Sequence, residues 1–181
     1  MRRDRRSRTL LVNPPQTFYS GSQGFSKSFP LGLAYLAAAL DQEGHPVEIL
    51  DTLTERCEVS RGDGVEQYGM SWKNIAKEIA ARRPDIVGIT CPFTTQIGNA
   101  LRVAAIVKEI APDALTVLGG PDASVRASDI LAQAESVDVA VMGEGECTML
   151  ELVAAHDRGD SDAMENVIGT AFRKGRGIVV N

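Results

Sequence analysis

Five short, β-branched apolar runs punctuate the chain, and between them apolar residues recur at helical spacing. Thr9–Asn13 is the first run, and Pro14-Pro15 ends it because proline lacks the N–H a sheet ladder needs. Val47–Asp51 is the second. The third lies within Asp85–Gln96: Ile86, Val87, Ile89 and Thr90 form the strand, which stops at Pro92. Ala114–Leu118 and Val137–Met142 are the fourth and fifth, each halted by glycines. Pro30 opens a helix in which Leu33, Leu36, Ala37 and Leu40 share a face, with Gly44 as its stop. Ser71 is placed to cap a second helix, carrying Trp72, Ile75 and Ile79. Thr94 and Thr95 offer N-cap hydroxyls to a third, through Ile97, Leu101 and Ala104, ended by Pro112. Further helices run through Ile130-Leu131 and through Met149, Leu150, Leu152 and Val153, the last broken at Gly159.

Each helix follows a strand, so the chain reads as α/β with a doubly wound, five-stranded parallel sheet. The expected order is flavodoxin-like (Rossmann-like), 2-1-3-4-5, and its switch point falls between strands one and three. The loops there are Pro14–Phe29 and Cys91–Thr95. Two long polar connections, Gln16–Phe29 and Thr52–Gly69, show no pattern and read as loops. Val167–Arg173 and Ile178–Val180, joined through Gly175-Arg176-Gly177, predict a C-terminal β-hairpin, which must pack on something to be stable. The division expected is a basic tail over 1–8, a binding domain over 9–160, and a hairpin over 161–181 that leads to a further C-terminal domain.

The 181 residues suffice for one sizeable core, burying roughly 70% of the unfolded surface. A net charge of −5 argues against nucleic acid as a partner. The exception is Arg2, Arg3, Arg5, Arg6 and Arg8, which read as a solvated tail because no aromatic or apolar residue anchors them. Cys57, Cys91 and Cys147 have no metal-ligand or redox spacing and suit reduced cytoplasmic thiols. No apolar run reaches the length of a membrane span.

Several chemistries fail on inventory. No Gly-x-x-x-x-Gly-Lys-Ser/Thr run exists for a P-loop. Gly143-Glu144-Gly145-Glu146 half-matches a dinucleotide fingerprint but follows the fifth strand, and its glutamates would repel a pyrophosphate. Those glutamates are either helix N-terminal charges or groups that hold a ligand or partner. Strand three ends in Thr90-Cys91-Pro92, without the aspartate of a phospho-acceptor receiver, and Asn13-Pro14-Pro15-Gln16 is no flavin phosphate loop. His45 precedes strand two and His156 lies late in the last long helix, so neither serves a nucleophile at the switch point. Cys91 reads as a small apolar strand-end residue, and Phe93 as a packing or edge contact. A large, mostly neutral ligand remains, held by hydroxyls of Thr90, Thr94, Thr95 and Ser124. Gly119-Gly120 would let it lie against the backbone.

Read together, these pieces resemble the N-terminal cobalamin-binding domain of class B, cobalamin-dependent radical S-adenosylmethionine (radical SAM) enzymes. The matching segments are Leu11-Val12-Asn13-Pro14-Pro15, Pro30-Leu31-Gly32-Leu33-Ala34-Tyr35-Leu36-Ala37, and Gly44-His45-Pro46-Val47 leading to Asp51. Then follow Pro84-Asp85-Ile86-Val87-Gly88-Ile89-Thr90, Gly119-Gly120-Pro121 and Gly143-Glu144-Gly145-Glu146, in the family's order and over nearly the whole chain.

The resemblance implies a cobalamin-binding domain of a radical SAM enzyme, a methyltransferase in its full form. The corrin would lie over the strand carboxyl ends with its nucleotide tail beside strand three. Implied cofactor-binding residues are Pro14, Pro15 and Gln16 after strand one, and Thr90, Cys91, Pro92, Phe93 and Thr94 at the end of strand three. Gly119, Gly120, Pro121 and Asp122 follow strand four, and Gly143, Glu144, Gly145 and Glu146 follow strand five. No catalytic residue and no protein ligand to the metal is assigned. S-adenosylmethionine and a [4Fe-4S] cluster belong to a radical SAM domain supplied in cis or in trans, because the Cys-x-x-x-Cys-x-x-Cys signature is absent here. The Asp-x-His-x-x-Gly cobalt-ligand motif is absent too: Ala154 stands two residues before His156. Base-off cobalamin without a histidine ligand is therefore expected. The alternative is a switch-point interaction domain that has no corrinoid, with the two long connections as its surface.

Overall fold

The computed structural model describes residues 6–22 and 29–181. In chain order the first elements are β1 (Thr9–Asn13), β2 (Gln16–Tyr19), α1 (Leu31–Gln42), β3 (Val47–Asp51), β4 (Glu58–Gly62), β5 (Val65–Gly69) and α2 (Trp72–Arg82). Next come β6 (Ile86–Thr90), a 3-10 turn (Thr94–Gln96), α3 (Ile97–Ile110), β7 (Leu115–Gly119) and α4 (Pro121–Gln133). The last are β8 (Val139–Val141), α5 (Gly145–Arg158), α6 (Ser161–Glu165), β9 (Thr170–Lys174) and β10 (Gly177–Val180).

Five parallel strands in the order β3-β1-β6-β7-β8 form the expected 2-1-3-4-5 sheet. The hairpin β9–β10 is no separate ribbon. It joins the same sheet, β9 lying antiparallel to β8. Alternate side chains feed two cores, as the period-two geometry of a strand requires. Leu10, Val12, Val87, Ile89 and Leu118 pack with α2, α3 and α4. Ile86, Val117, Val139 and Val141 pack with Leu40 of α1 and with Met149 and Leu152 of α5. The α1–α5 layer is therefore the one that meets Gly88, two residues along from Ile86.

The two long connections are not loops throughout. Their described parts build a second, antiparallel sheet in the order β2-β5-β4. Asp63 and Gly64 join β4 to β5 with φ of 53° and 75°, the positive pair that a type I′ hairpin turn requires. β2 is tied to the 3-10 turn before α3 by a side chain: Thr17 N–H donates to Gln96 Oε1 at 2.8 Å, and Gln96 Nε2 donates to the Thr17 carbonyl at 2.8 Å. Phe25 and its neighbours over 23–28 lie outside the described residues, as do Arg2, Arg3 and Arg5.

The helix starts also differ from expectation. Pro30 occupies the N-cap of α1, one position earlier than its sequence suggests, and Ser71 caps α2 without a side-chain hydrogen bond. Thr94 does not cap α3, because its hydroxyl donates to Asp122 Oδ1 at 2.6 Å. Residues 6–8, expected in the tail, are part of the packed unit: Ser7 is buried, and Arg8 N–H donates to Asp85 Oδ2 at 2.9 Å.

Candidate functional site

A slot opens at the carboxyl ends of β6, β7 and β8 and runs down between the sheet and α5, with a volume of about 380 Å³. Its floor comes from one inward-facing row of the sheet. Leu11, Gly88 and Val117 are successive register partners across β1, β6 and β7, and Met149 of α5 roofs them. The space exists because of missing side chains. A Cβ on Gly88 would stand 2.8 Å from Leu11 Cδ2 and 3.8 Å from Met149 Cε, inside the slot. A Cβ on Gly145, at the start of α5, would stand 3.1 Å from Leu36 Cδ2. Floor and roof are apolar, whereas polar side chains gather at the mouth: Thr90, Ser124, Glu144 and Glu146.

Ser124 fixes the shape of that mouth. Its hydroxyl donates to the Gly120 carbonyl at 3.2 Å and accepts from Gly143 N–H at 2.9 Å. The β7–α4 and β8–α5 turns are thereby tied together, so this hydroxyl is a brace before it is a ligand contact. The adjacent glycines divide the work expected of both. A Cβ on Gly119 would meet only Val141 Cβ, at 3.9 Å, so Gly119 leaves room for a ligand. Gly120 has φ of 102°, and its Cβ would lie 2.8 Å from the Cys91 carbonyl oxygen. It is required by the backbone turn itself.

Eight of the sixteen residues assigned from sequence line this slot: Thr90, Gly119, Gly120, Pro121 and the run Gly143 to Glu146. Pro14, Pro15, Gln16 and Pro92 border a separate crevice of about 10 Å³, room for at most one water. Phe93, Thr94 and Asp122 flank an open depression beside it, with Phe93 63% exposed. Cys91 is buried. The floor residues Leu11, Gly88, Val117, Val141 and Met149 were not expected. Their composition marks them as core, and only Gly88, an unbranched gap in a β-branched strand, hinted at a close approach.

The strand-end polar residues serve one another. Asp122 is 3% exposed and accepts from Arg126 through both oxygens, at 2.9 and 3.0 Å, while Thr94 donates to the same carboxylate. The Arg126 guanidinium, aided by the Thr94 hydroxyl, holds this carboxyl below its ordinary range even though burial pushes the other way. Beside it, burial and then the Asp122 charge push the Cys91 thiol up to about 11. Such a thiol is not a nucleophile at neutral pH.

Both histidines sit at the far end of the sheet. His156 Nδ1 lies 2.8 Å from Ser7 Oγ, and His45 Nδ1 lies 3.3 Å from Asp157 Oδ2. Ser7 lies two residues before Thr9, where β1 begins, so these groups flank the amino ends of the strands, a full strand length from the slot mouth.

Comparison with known proteins places the chain in a family. Residues 25–153 match the B12 binding domain family. The chain is 33% identical over 174 residues to cytidylyl-2-hydroxyethylphosphonate methyltransferase of Streptomyces wedmorensis, covering 93% of this chain and 32% of that protein. It is 34% identical over 176 residues to anaerobic magnesium-protoporphyrin IX monomethyl ester cyclase of Rubrivivax gelatinosus, covering 96% of this chain and 29% of that protein. The chain thus spans about a third of the length of these relatives. The cobalamin-dependent S-adenosylmethionine radical enzyme OxsB, with aqua-cobalamin and S-adenosylmethionine bound, has the same fold: TM-score 0.73 at 16% identity, over 97% of this chain and 22% of that one. The chain belongs to the B12-binding domain family.

Proposed function

We propose that this chain is the cobalamin-holding part of a cobalamin-dependent radical SAM methyltransferase, and that its slot receives the nucleotide tail of base-off cobalamin. The observation that carries this reading is the apolar slot between Gly88 and Met149, which any side chain at Gly88 would crowd. Its apolar floor suits the aromatic base at the end of such a tail, and the Thr90 hydroxyl at the mouth suits the hydroxyls of its ribose. Neither histidine lies at the strand carboxyl ends, which supports a cobalt without a histidine ligand.

Bound cobalamin supplies a cobalt that carries and gives up a methyl group. The chain's own residues do the holding. Leu11, Val117, Val141 and Met149 exclude water from the tail's base, Gly88 and Gly119 make room for it, and Thr90 offers a hydroxyl at the rim. In this reading the Asp122–Arg126–Thr94 network holds the β6 and β7 turns rigid beneath the corrin. S-adenosylmethionine, the [4Fe-4S] cluster and the radical chemistry belong to a radical SAM domain in cis or in trans. A cytoplasmic setting fits the thiols, and no helix among the described residues is long and apolar enough to cross a membrane. The −5 charge favours this small-molecule partner over nucleic acid.

Titration of the 181-residue chain with hydroxocobalamin tests the reading. Co-elution of the colour with protein on gel filtration, with a base-off visible spectrum unchanged by His45→Ala or His156→Ala, is the expected result. A colourless protein peak, or a histidine-ligated spectrum lost in one of those variants, overturns it. For the activity, a Cys-x-x-x-Cys-x-x-Cys triplet encoded in frame after Asn181, or in a co-purifying subunit, is expected. Cyclisation in place of methyl transfer by that full assembly would replace the reaction named here.

A further inference from the structure

The slot is graded, and the gradient carries information about what enters it. At the mouth stand Thr90, Ser124, Glu144 and Glu146. One inward-facing position deeper, about 7 Å down the strands, the walls are Leu11, Val117 and Met149, each at most 3% exposed. The main chain there offers little more. Gly88 lies in register between Leu11 and Val117 in a parallel ladder, so its amide and carbonyl belong to the sheet. The floor therefore presents no side-chain donor among the described residues, and its one side-chain heteroatom is the weakly accepting Met149 thioether. An exocyclic amine or ring nitrogen brought to it leaves its hydrogen bonds to water behind and finds at best a weak thioether contact in exchange.

Resting on the cobalamin reading above, we infer that this floor discriminates among corrinoids by their lower base, accepting a dimethylbenzimidazole and disfavouring a purine. Both bases are flat and both reach the floor by the same ribose-phosphate tether. They differ in what they present there. The benzimidazole ends in two methyl groups, which complement Leu11, Val117 and Met149. Adenine ends in an amine and ring nitrogens, and it lacks the methyl volume that would fill the slot. One buried, unsatisfied polar group is enough for a preference of about 10-fold to 100-fold. Leu11, Gly88, Val117 and Met149 are thus specificity-determining residues, and none of them needs to touch the corrin ring or the cobalt.

Equilibrium dialysis of the 181-residue chain against cobalamin, adeninylcobamide and tail-less cobinamide tests this directly. Cobalamin is expected to bind at least about 10-fold tighter than either of the others. Met149→Gln places an amide on the roof with little change in length and is expected to narrow the cobalamin-to-adeninylcobamide ratio toward unity. Val117→Thr, nearly isosteric, should move the ratio in the same direction if the glutamine variant misfolds. Equal affinity for cobalamin and adeninylcobamide, or a ratio unmoved by both folded variants, overturns the inference and leaves the cobalamin reading standing. Failure of all three corrinoids to bind overturns the cobalamin reading and this inference with it.

Discussion

Gly88 and Leu11 are register partners on adjacent parallel strands, and the single hydrogen that serves Gly88 as a side chain keeps the slot open above Leu11 Cδ2. A β-branched residue would suit this strand better on propensity alone. Gly88→Val is therefore expected to narrow the slot, its strand propensity offsetting part of an overpacking cost of roughly 1–3 kcal/mol against Leu11. The clash is with the far end of a flexible leucine, so the fold can absorb it. Corrinoid retention on gel filtration should fall at least about 10-fold, one tenfold step per ~1.4 kcal/mol, with an unchanged circular dichroism spectrum. Undiminished retention by a folded Gly88→Val protein would place the tail elsewhere.

The two glycines after β7 should respond differently. Gly120→Ala forces an alanine into positive φ and against the Cys91 carbonyl, so a stability loss of roughly 1–3 kcal/mol is expected in urea melts. Gly119→Ala adds a methyl with only ordinary contact to Val141. Its melt should stay within about 1 kcal/mol of the parent, and its effect should appear in binding.

Asp122 gives the fold an acid dependence whose sign is fixed. Its folded carboxyl is held below its unfolded value, chiefly by Arg126. The resulting stability is fully present above the unfolded pKa, about 3.9, and is lost as pH falls from there through the folded value. Asp122→Asn is expected to cost about 2 kcal/mol at neutral pH, the scale of hydrogen bonds to a charged group. In urea melts across pH, the gap between parent and variant should be flat above about pH 5 and close below about pH 4. A gap that persists unchanged to lower pH would remove the ionised carboxylate from the explanation.

The three thiols should separate by reactivity. Cys147 is exposed and Cys57 half-buried, whereas Cys91 is buried and its thiol is pushed up to about 11. Ellman's reagent at pH 8 is expected to titrate Cys147 and Cys57 in the native protein and Cys91 only after denaturation. Rapid native modification of Cys91 would mean that the β6 turn opens far more often than its packing implies.

The parallel sheet was legible because its strands are buried on both faces and therefore read as continuous apolar runs such as Ile86-Val87 and Val139–Val141. The second sheet was not. Every residue of β4 is exposed, so no apolar alternation marks it, and Asp63-Gly64 is its one local hairpin signal. β2 is four residues long and is held by Gln96, about eighty residues away in sequence, a partner that no local pattern reveals. The mouth of the slot was readable for the opposite reason: Gly119-Gly120 and Gly143–Glu146 carry turn chemistry at strand ends. Its floor was hidden because Leu11, Val117 and Met149 look like any core residues until the register of three strands aligns them with Gly88.

The Gln96 amide also sets the growth direction of the small sheet. By occupying both the amide and the carbonyl of Thr17, it stands where another strand would lie and seals that border of β2. Among the described residues, the far border, Glu58–Gly62 of β4, has no such seal. The β4 side is thus, among the described residues, the border open to a further strand, and Glu58 and Arg61 place charge along it.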